Sequence, residues 1–235
     1  KMISFAGPGD IDLNVPPGSK IRAEIFDIGD SGASITSDDL LVGNITFSAN
    51  GGALNANGGL TGEIDFQNMA GIVKLGDNQK ITGNIDSTGG ANGTFNLIGD
   101  GTVTGDIGTS SAINSIAIAD NKTFTFDGSI VNANNINYGL NTTLKLTNTA
   151  NVTFNSNLSY TNINIAANSV IDATSIQAGK TLQFNNANIG DLNSNNSLNK
   201  LILQGSNIGF NNNNTHINEI DFGVGSNGTL TLQDG

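Results

Sequence analysis

Short stretches in which apolar and polar residues alternate run through most of the chain. Residues 143–147 read Thr-Leu-Lys-Leu-Thr, and residues 122–126 read Lys-Thr-Phe-Thr-Phe. A period of two is the pattern of a β-strand with one buried face. The segments between these stretches are rich in Asn, Gly, Ser and Thr, which are poor residues for helix interiors. The pattern therefore predicts an all-β protein built from many short strands.

The strand-like stretches of the second half recur at a nearly constant spacing. A fixed period of roughly 20 residues is typical of a solenoid, in which each repeat stacks on its neighbours. We therefore expect Ile165, Phe184, Leu203 and Phe222 to stack in one interior column. A second set with a similar spacing consists of Val152, Val170/Ile171, Ile189 and Ile208. The apolar pairs that follow one another at a step of 19 are Leu144/Leu146, Ile163/Ile165, Leu182/Phe184, Leu201/Leu203 and Ile220/Phe222.

The first half carries a related motif of the form apolar-x-Gly-x-Ile. Apolar pairs such as Val73/Leu75, Phe95/Leu97 and Ile116/Ile118 lie between its copies. We expect the glycine to mark a sharp bend between strands, where a side chain would clash. The glycines of the successive copies are Gly43, Gly62, Gly83, Gly105 and Gly128, so their spacing grows slowly along the chain.

These spacings predict a right-handed parallel β-helix of about ten coils with roughly 19–23 residues per coil. A leucine-rich repeat has a similar length but needs a helical return segment, which no apolar stripe of helical spacing supports here. Residues 1–40 contain all three prolines and the only Arg, so we expect an irregular first coil or an N-terminal cap there. Residues 41–235 form the coils. The pattern runs unbroken into residue 235, from which we expect a fragment of a longer protein.

Composition and charge narrow the range of functions. Nine basic and twenty acidic residues give a net charge of −11, and no Lys/Arg cluster is visible in the sequence, so nucleic acid is an unlikely partner. The chain has no Cys and a single His, which argues against disulfides and zinc sites. Asn makes up about a quarter of the residues after 130, and it suits tight turns and side-chain ladders between stacked strands.

Three groups of residues suggest chemistry, and each has a simpler interpretation. Gly29-Asp30-Ser31-Gly32-Ala33 matches the nucleophile loop of chymotrypsin-like proteases, but no His precedes Ser31 and the sole His216 lies far downstream, so a turn is the better interpretation. Enzymes on β-helices use clustered carboxylates. Glu63 and Asp65 flank Ile64 and should point outward together, whereas we expect Asp86 and Asp106 to face opposite sides. The acid-rich start offers a calcium site as a further alternative, at Asp27, Asp30, Asp38 and Asp39.

The repeated apolar-x-Gly-x-Ile units, as in Leu41-Val42-Gly43-Asn44-Ile45-Thr46-Phe47, resemble the passenger domain of a bacterial autotransporter. The Asn-, Thr- and Ile-rich composition with a single Arg is most similar to the rickettsial surface cell antigen and outer membrane protein family, over about residues 40–235. Filamentous-haemagglutinin-like exoproteins have coils of similar length and stay an alternative. The resemblance implies display on the outer membrane, with a role in attachment to host cells and as a surface antigen.

We therefore expect an adhesive surface module rather than an enzyme, with no catalytic, cofactor-binding or metal-binding residues and no cofactor. The expected partners are a host cell-surface protein or glycan and, by resemblance, the rest of the passenger with its C-terminal membrane barrel. Two alternatives are a polysaccharide lyase or hydrolase on the same fold and a self-associating coat rod. An enzyme should show a groove with clustered acids and bases, whereas an adhesin should show a polar face without one.

Overall fold

A computed structural model describes residues 1–16, 18–148, 152–155, 161–164, 170–173, 181–185, 187–189, 198–203, 207–211, 217–223 and 228–232. All regular elements in these ranges are β-strands. Within the same ranges, no helix has the length and apolar character needed to cross a bilayer.

The strands are short because each carries only a few alternating residues before a turn. The first half contains β1 (Met2–Phe5), β2 (Gly9–Leu13), β3 (Lys20–Ile28), β4 (Ala33–Ser37), β5 (Leu40–Phe47), β6 (Ala53–Ala56), β7 (Leu60–Thr61), β8 (Ile64–Asp65), β9 (Ile72–Leu75), β10 (Gln79–Thr82), β11 (Ile85–Asp86), β12 (Thr94–Leu97) and β13 (Gly101–Val103).

The remaining strands continue the same arrangement. They are β14 (Ile113–Ile118), β15 (Thr123–Phe126), β16 (Ile130–Tyr138), β17 (Thr143–Leu146), β18 (Val152–Asn155), β19 (Thr161–Asn164), β20 (Val170–Ala173), β21 (Thr181–Asn185), β22 (Ala187–Ile189), β23 (Leu198–Leu203), β24 (Asn207–Asn211), β25 (Ile217–Asp221) and β26 (Leu230–Leu232).

The strands stack in parallel along three ladders in the turns that follow β5. The first ladder contains the start of β5, then β7, β10, β13, β15 and β17. The second ladder contains the end of β5, then β8 and β11, and continues through bridges at Ile107 and Val131. The third ladder contains β6, β9, β12 and β14. The predicted parallel β-helix is confirmed.

The number of turns differs slightly from the predicted ten. The described residues up to Asn148 hold about eight turns, from β1 to β17 on one side of the solenoid. Beyond it, the described strands extend both 13-stranded sheets to β25 and β26.

Residues 1–40 contribute β1–β4, and β1 and β2 pair in parallel with β3 and β4. The pairing of β3 with β5 shifts register between Arg22 and Ile25. The boundary at residue 40 stays a prediction.

The predicted turn length is confirmed in the first half. On the first ladder, the positions that pair in succession are Leu41, Leu60, Ile81, Val103 and Phe126. Each of them lies two residues before a glycine of the apolar-x-Gly-x-Ile motif, so the turns have the same lengths as the motif spacing. On the third ladder, the predicted pairs led by Val73, Phe95 and Ile116 also stack in register.

The strict step of 19 in the second half is wrong as a stacking period. Leu182 pairs with Val152 before it and with Ile208 after it, so both of its steps are well above 19. Leu201 pairs with Ile171, which is a long step as well, although its step to Ile220 is indeed 19. The physical reason is that each turn holds several short apolar strands. Leu182 and Leu201 therefore belong to different ladders although their sequence spacing is regular.

The predicted interior column is wrong for the same reason. Phe184 pairs with Phe154 and Phe210, and Leu203 pairs with Ala173. Phe222 is partly buried but follows β25 rather than lying in it, and Ile165 lies outside the described residues. The second set is not a column either, since Val152 and Ile208 pair with Leu182, whereas Val170 pairs with Thr143 and Ile189 with Ile163.

The core is a continuous apolar filling along the solenoid axis. Phe47 and Phe66 stack with ring centroids 5.0 Å apart, and Phe95 meets Phe124 edge-on at 5.9 Å. Each of these four side chains is at most 2% exposed. Because aromatic rings of this kind bury large areas, they contribute strongly to the stability of the turns that hold them.

A column of glycines forms one corner between the first and second ladders. Gly43, Gly62 and Gly83 have φ values of 150°, 149° and 147°, a region that L-residues rarely adopt. A Cβ added to Gly62 would overlap the carbonyl oxygen of Gly43, and one added to Gly83 would overlap that of Gly62. The contact repeats from Gly83 to Gly105 and from Gly105 to Gly128. The predicted glycine bend is confirmed.

Candidate functional site

The outer side of the second ladder, which we call the second-ladder face, is acidic. Glu63 is exposed and Asp65 is half-buried, while Ile64 between them is fully buried, so both carboxylates point outward as predicted. Asp86 follows buried Ile85 and Asp106 precedes buried Ile107, which pairs with Ile85. Both positions flank an inward residue of one ladder. The prediction that Asp86 and Asp106 face opposite sides is therefore wrong.

The aspartates of this face accept hydrogen bonds from the turn that follows. Asp65 accepts from the backbone N–H and the hydroxyl of Thr88, at 3.0 and 2.8 Å. Asp86 accepts from the Thr109 hydroxyl at 2.8 Å and from the Ser110 N–H at 3.0 Å. Such bonds satisfy polar backbone groups that the bend between ladders leaves unpaired.

Asp106 bonds in the same way, since its Oδ1 accepts from the N–H groups of Ser129 and Ile130 at 2.6 and 3.1 Å. Burial raises the pKa of Asp86, but hydrogen bonds from Ser110, Thr109 and Ser87 outweigh it and hold the pKa below its ordinary value. An ionised acceptor bound to several donors suits a structural role. A general acid in glycoside hydrolysis needs the opposite shift.

The four aspartates considered for calcium bond to separate neighbours. Asp27 accepts from the hydroxyls of Ser4, Thr46 and Ser48, and Asp39 accepts from the N–H of Val15. Asp30 accepts from the N–H of Gly32, and Asp38 from the side-chain amide of Asn57. Across the described ranges, no three His, Cys, Asp or Glu residues converge as a metal site would require.

Ser31 and Gly32 lie in a turn that the Asp30–Gly32 bond closes at 2.8 Å, which confirms the turn interpretation. His216 lies outside the described residues.

Asparagine forms the predicted turns and ladders at the corners. Asn121 and Asn141 have left-handed φ values of 57° and 54° at equivalent corners of successive turns. The side-chain amide of Asn141 donates to that of Asn121 at 3.0 Å, and that of Asn92 donates to Asn68 at 2.7 Å. These contacts hold neighbouring turns in register.

The outer side of the first ladder, the first-ladder face, differs in chemistry. Lys80, Thr102, Thr125 and Lys145 occupy one outward column in four successive turns. The hydroxyls of Thr102 and Thr125 make no hydrogen bond within the described residues, and neither lysine forms an ion pair there. Thr102, Thr125 and Lys145 line an open depression of about 320 Å³ together with Asn78, Gln79, Asp100, Gly101 and Thr123, so its lining holds one ammonium group and one carboxylate.

A single ion pair borders this depression. The Lys122 ammonium lies 3.0 Å from Asp77 Oδ1. The pKa of Asp77 is lowered by a hydrogen bond from the Asp100 N–H and then by Lys122. Because Asp77 is exposed and Lys122 is only half-buried, the pair contributes little to stability.

Basic residues collect on the first-ladder face although the sequence shows no cluster. Five of the nine Lys and Arg residues lie on the outer side of its strands: Lys20, Arg22, Lys80, Lys145 and Lys200. The column of Lys80, Thr102, Thr125 and Lys145 is not evident from the sequence. Its only signal was that positions 80, 102, 125 and 145 follow one another at the length of a turn.

Comparison with known proteins gives three relatives. The chain is 32% identical to outer membrane protein B of Rickettsia rickettsii in an alignment of 227 residues, which covers 88% of this chain and 14% of that protein. It is 33% identical to outer membrane protein B of Rickettsia japonica over 84% of this chain and 13% of that protein. It is 34% identical to outer membrane protein A of Rickettsia rickettsii over 53% of this chain and 5% of that protein. No family model matches the chain, and no solved structure matches it.

Proposed function

The chain is related, along most of its own length, to the rickettsial outer membrane proteins A and B, and from this premise we propose that it attaches the bacterium to host cells. The predicted family resemblance and the location at the bacterial surface or outer membrane are confirmed by these relatives. The chain spans about a seventh of the outer membrane protein B relatives. Attachment, entry and the partner are therefore our proposals for this segment.

One observation carries the proposal: three aspartates of the second-ladder face are held in inter-turn bonds, while polar groups of the first-ladder face make no bond among the described residues. Asp65, Asp86 and Asp106 each accept two or more hydrogen bonds from the next turn. On the first-ladder face, the side chains of Thr102, Thr125 and Lys145 make no hydrogen bond or ion pair with any described residue, and they lie on parallel strands that stack about 4.8 Å apart. A regular array of free donors on a rigid rod suits binding to an extended partner.

The same observation weighs against the enzyme alternative. Glycoside hydrolysis needs one protonated and one ionised carboxyl group about the scissile bond. Asp65 and Asp86 accept hydrogen bonds from Thr and Ser donors, Asp106 accepts from two backbone N–H groups, and the pKa of Asp86 is lowered. We propose a binding module that is also a surface antigen, joined in the mature protein to further passenger coils and a membrane barrel.

The experiment is adhesion of beads coated with the purified chain to cultured mammalian cells. Beads coated with the same chain after heat denaturation control for charge and composition. We expect native beads to bind several-fold more than denatured beads. Equal binding of both, or binding no greater than that of beads coated with albumin, would contradict the proposal.

A further inference from the structure

We propose that the first-ladder face binds an acidic oligosaccharide, one that carries carboxylates, along the column from Lys80 to Lys145. This inference rests on the proposed function, since it names the class of partner used in attachment. It starts from the positions of the exposed lysines on the first-ladder face and of the carboxylates on the second-ladder face.

The second-ladder face carries carboxylates and no cation among the described residues. Its outward positions beside Ile64, Ile85 and Ile107 hold Glu63, Asp65, Asp86 and Asp106, and none of these four pairs with a lysine or arginine in the described part of the chain. A polyanion would be repelled there. On the first-ladder face, by contrast, Lys80 and Lys145 are exposed and form no ion pair among the described residues, so they offer an anionic ligand two cations.

The column itself has the dimensions of an oligosaccharide. Lys80, Thr102, Thr125 and Lys145 are in register over four strands, so the backbone positions of the two lysines stand about 14 Å apart along the axis. The spacing between turns is similar to the rise of one sugar unit in an extended β-linked chain. Asp172 takes the next register position after Lys145 and ends the basic column.

The depression beside the column supplies the groups that sugar hydroxyls require. The hydroxyls of Thr102, Thr123 and Thr125 can each donate and accept, as can the side-chain amides of Asn78 and Gln79. No aromatic ring lines the depression in the described part of the chain, so binding depends on hydrogen bonds and on the lysines. Charge-assisted hydrogen bonds from an ammonium to a carboxylate are the strongest of these contacts.

The lysines at the two ends of the column favour an acidic saccharide over a neutral one. Lys80 and Lys145 are exposed and make no ion pair within the described ranges, so they keep their charge for a ligand. The same face also carries carboxylates: Asp100 lines the depression, Asp172 follows Lys145 in register, and Glu219 and Asp221 pair with Lys200 farther along the ladder. Salt screens charges more distant than about 8 Å at physiological ionic strength. A neutral oligosaccharide gains only the threonine and amide contacts.

The test measures binding of a hyaluronan octasaccharide to the full chain by calorimetry. We expect binding that weakens about tenfold in Lys145→Gln, the loss of roughly one charge-assisted hydrogen bond. Lys80→Gln should weaken it to a similar degree, and the double variant should weaken it further. The matched control is Lys74→Gln, which removes the same charge from the outer side of the third ladder and should leave binding unchanged.

The outcomes separate the inference from the proposed function. Equal binding of a neutral chitin octasaccharide, binding of heparin fragments without hyaluronan, or no effect of either first-ladder lysine would each overturn the saccharide assignment. Native beads that still adhere to cells in any of those cases leave attachment supported and the saccharide inference refuted. Failure of adhesion with intact hyaluronan binding would refute attachment alone.

Discussion

Replacing Gly62 by alanine should destabilise the solenoid by about 2–6 kcal/mol. Gly62 has φ of +149°, where an L-residue is strained by roughly 1–3 kcal/mol. The added Cβ would also overlap the carbonyl oxygen of Gly43, so the preceding turn has to shift, which costs about another 1–3 kcal/mol. Because Gly83 rests on Gly62 in the same way, the shift is passed on to the next turn.

The assay is urea unfolding of the chain followed by far-UV circular dichroism. The matched control is Gly7→Ala, since a Cβ at Gly7 meets no atom within 4 Å and Gly7 has no unusual φ. We expect the midpoint for Gly62→Ala to fall well below that of the parent, and the control to stay within about 0.5 kcal/mol of it. Equal midpoints for the two variants would refute the role assigned to the glycine column.

Three further predictions concern the core, the carboxylates and the register. Phe95→Ala should lower the free energy of unfolding by about 3–5 kcal/mol in the same assay, because it empties a site with 0% exposure. The pKa of Asp86 is lowered in the folded chain, so its bonds stabilise the protein above about pH 4 and are lost as the pH falls through the folded pKa. Asp86→Asn should therefore show a smaller drop in melting temperature on acidification, and a slope equal to that of the parent would contradict this. Gln183 and Gly209 are in register on neighbouring strands about 4.8 Å apart, so the double variant Gln183→Cys/Gly209→Cys should form a disulfide on oxidation. The control Gln183→Cys/Ile202→Cys should not form one, because Ile202 pairs with Asp172 on another ladder. Mass spectrometry distinguishes the two outcomes.

The sequence is sufficient for the fold class because strand alternation and turn length act together in the first half. There, each glycine of the apolar-x-Gly-x-Ile motif fixes one corner, so the ladder of every strand is known from its distance to Gly62 or Gly83. In the second half no such marker is visible in the sequence. Leu182 and Leu201 look equivalent, yet they lie on different ladders, because spacing alone does not say which strand of a turn an apolar pair forms.

The lysine column of the candidate site could not be predicted from the sequence for a related reason. Lys80 and Lys145 are far apart in the sequence, and only the summed length of three turns brings them into one column. The outward orientation of Glu63 and Asp65 needed only the alternation about Ile64, so it was predictable. The bonds that Asp65 and Asp86 accept depend on the next turn and were not.

The inter-turn bonds of the aspartates give the solenoid a direction. Asp65, Asp86 and Asp106 each accept from donors 23 or 24 residues later in the chain. On the second-ladder face, each of these turns thus supplies a carboxylate acceptor to donors in the turn that follows it. On this face the dependence runs one way, so loss of one of these aspartates should loosen the turn that follows it more than the turn that precedes it.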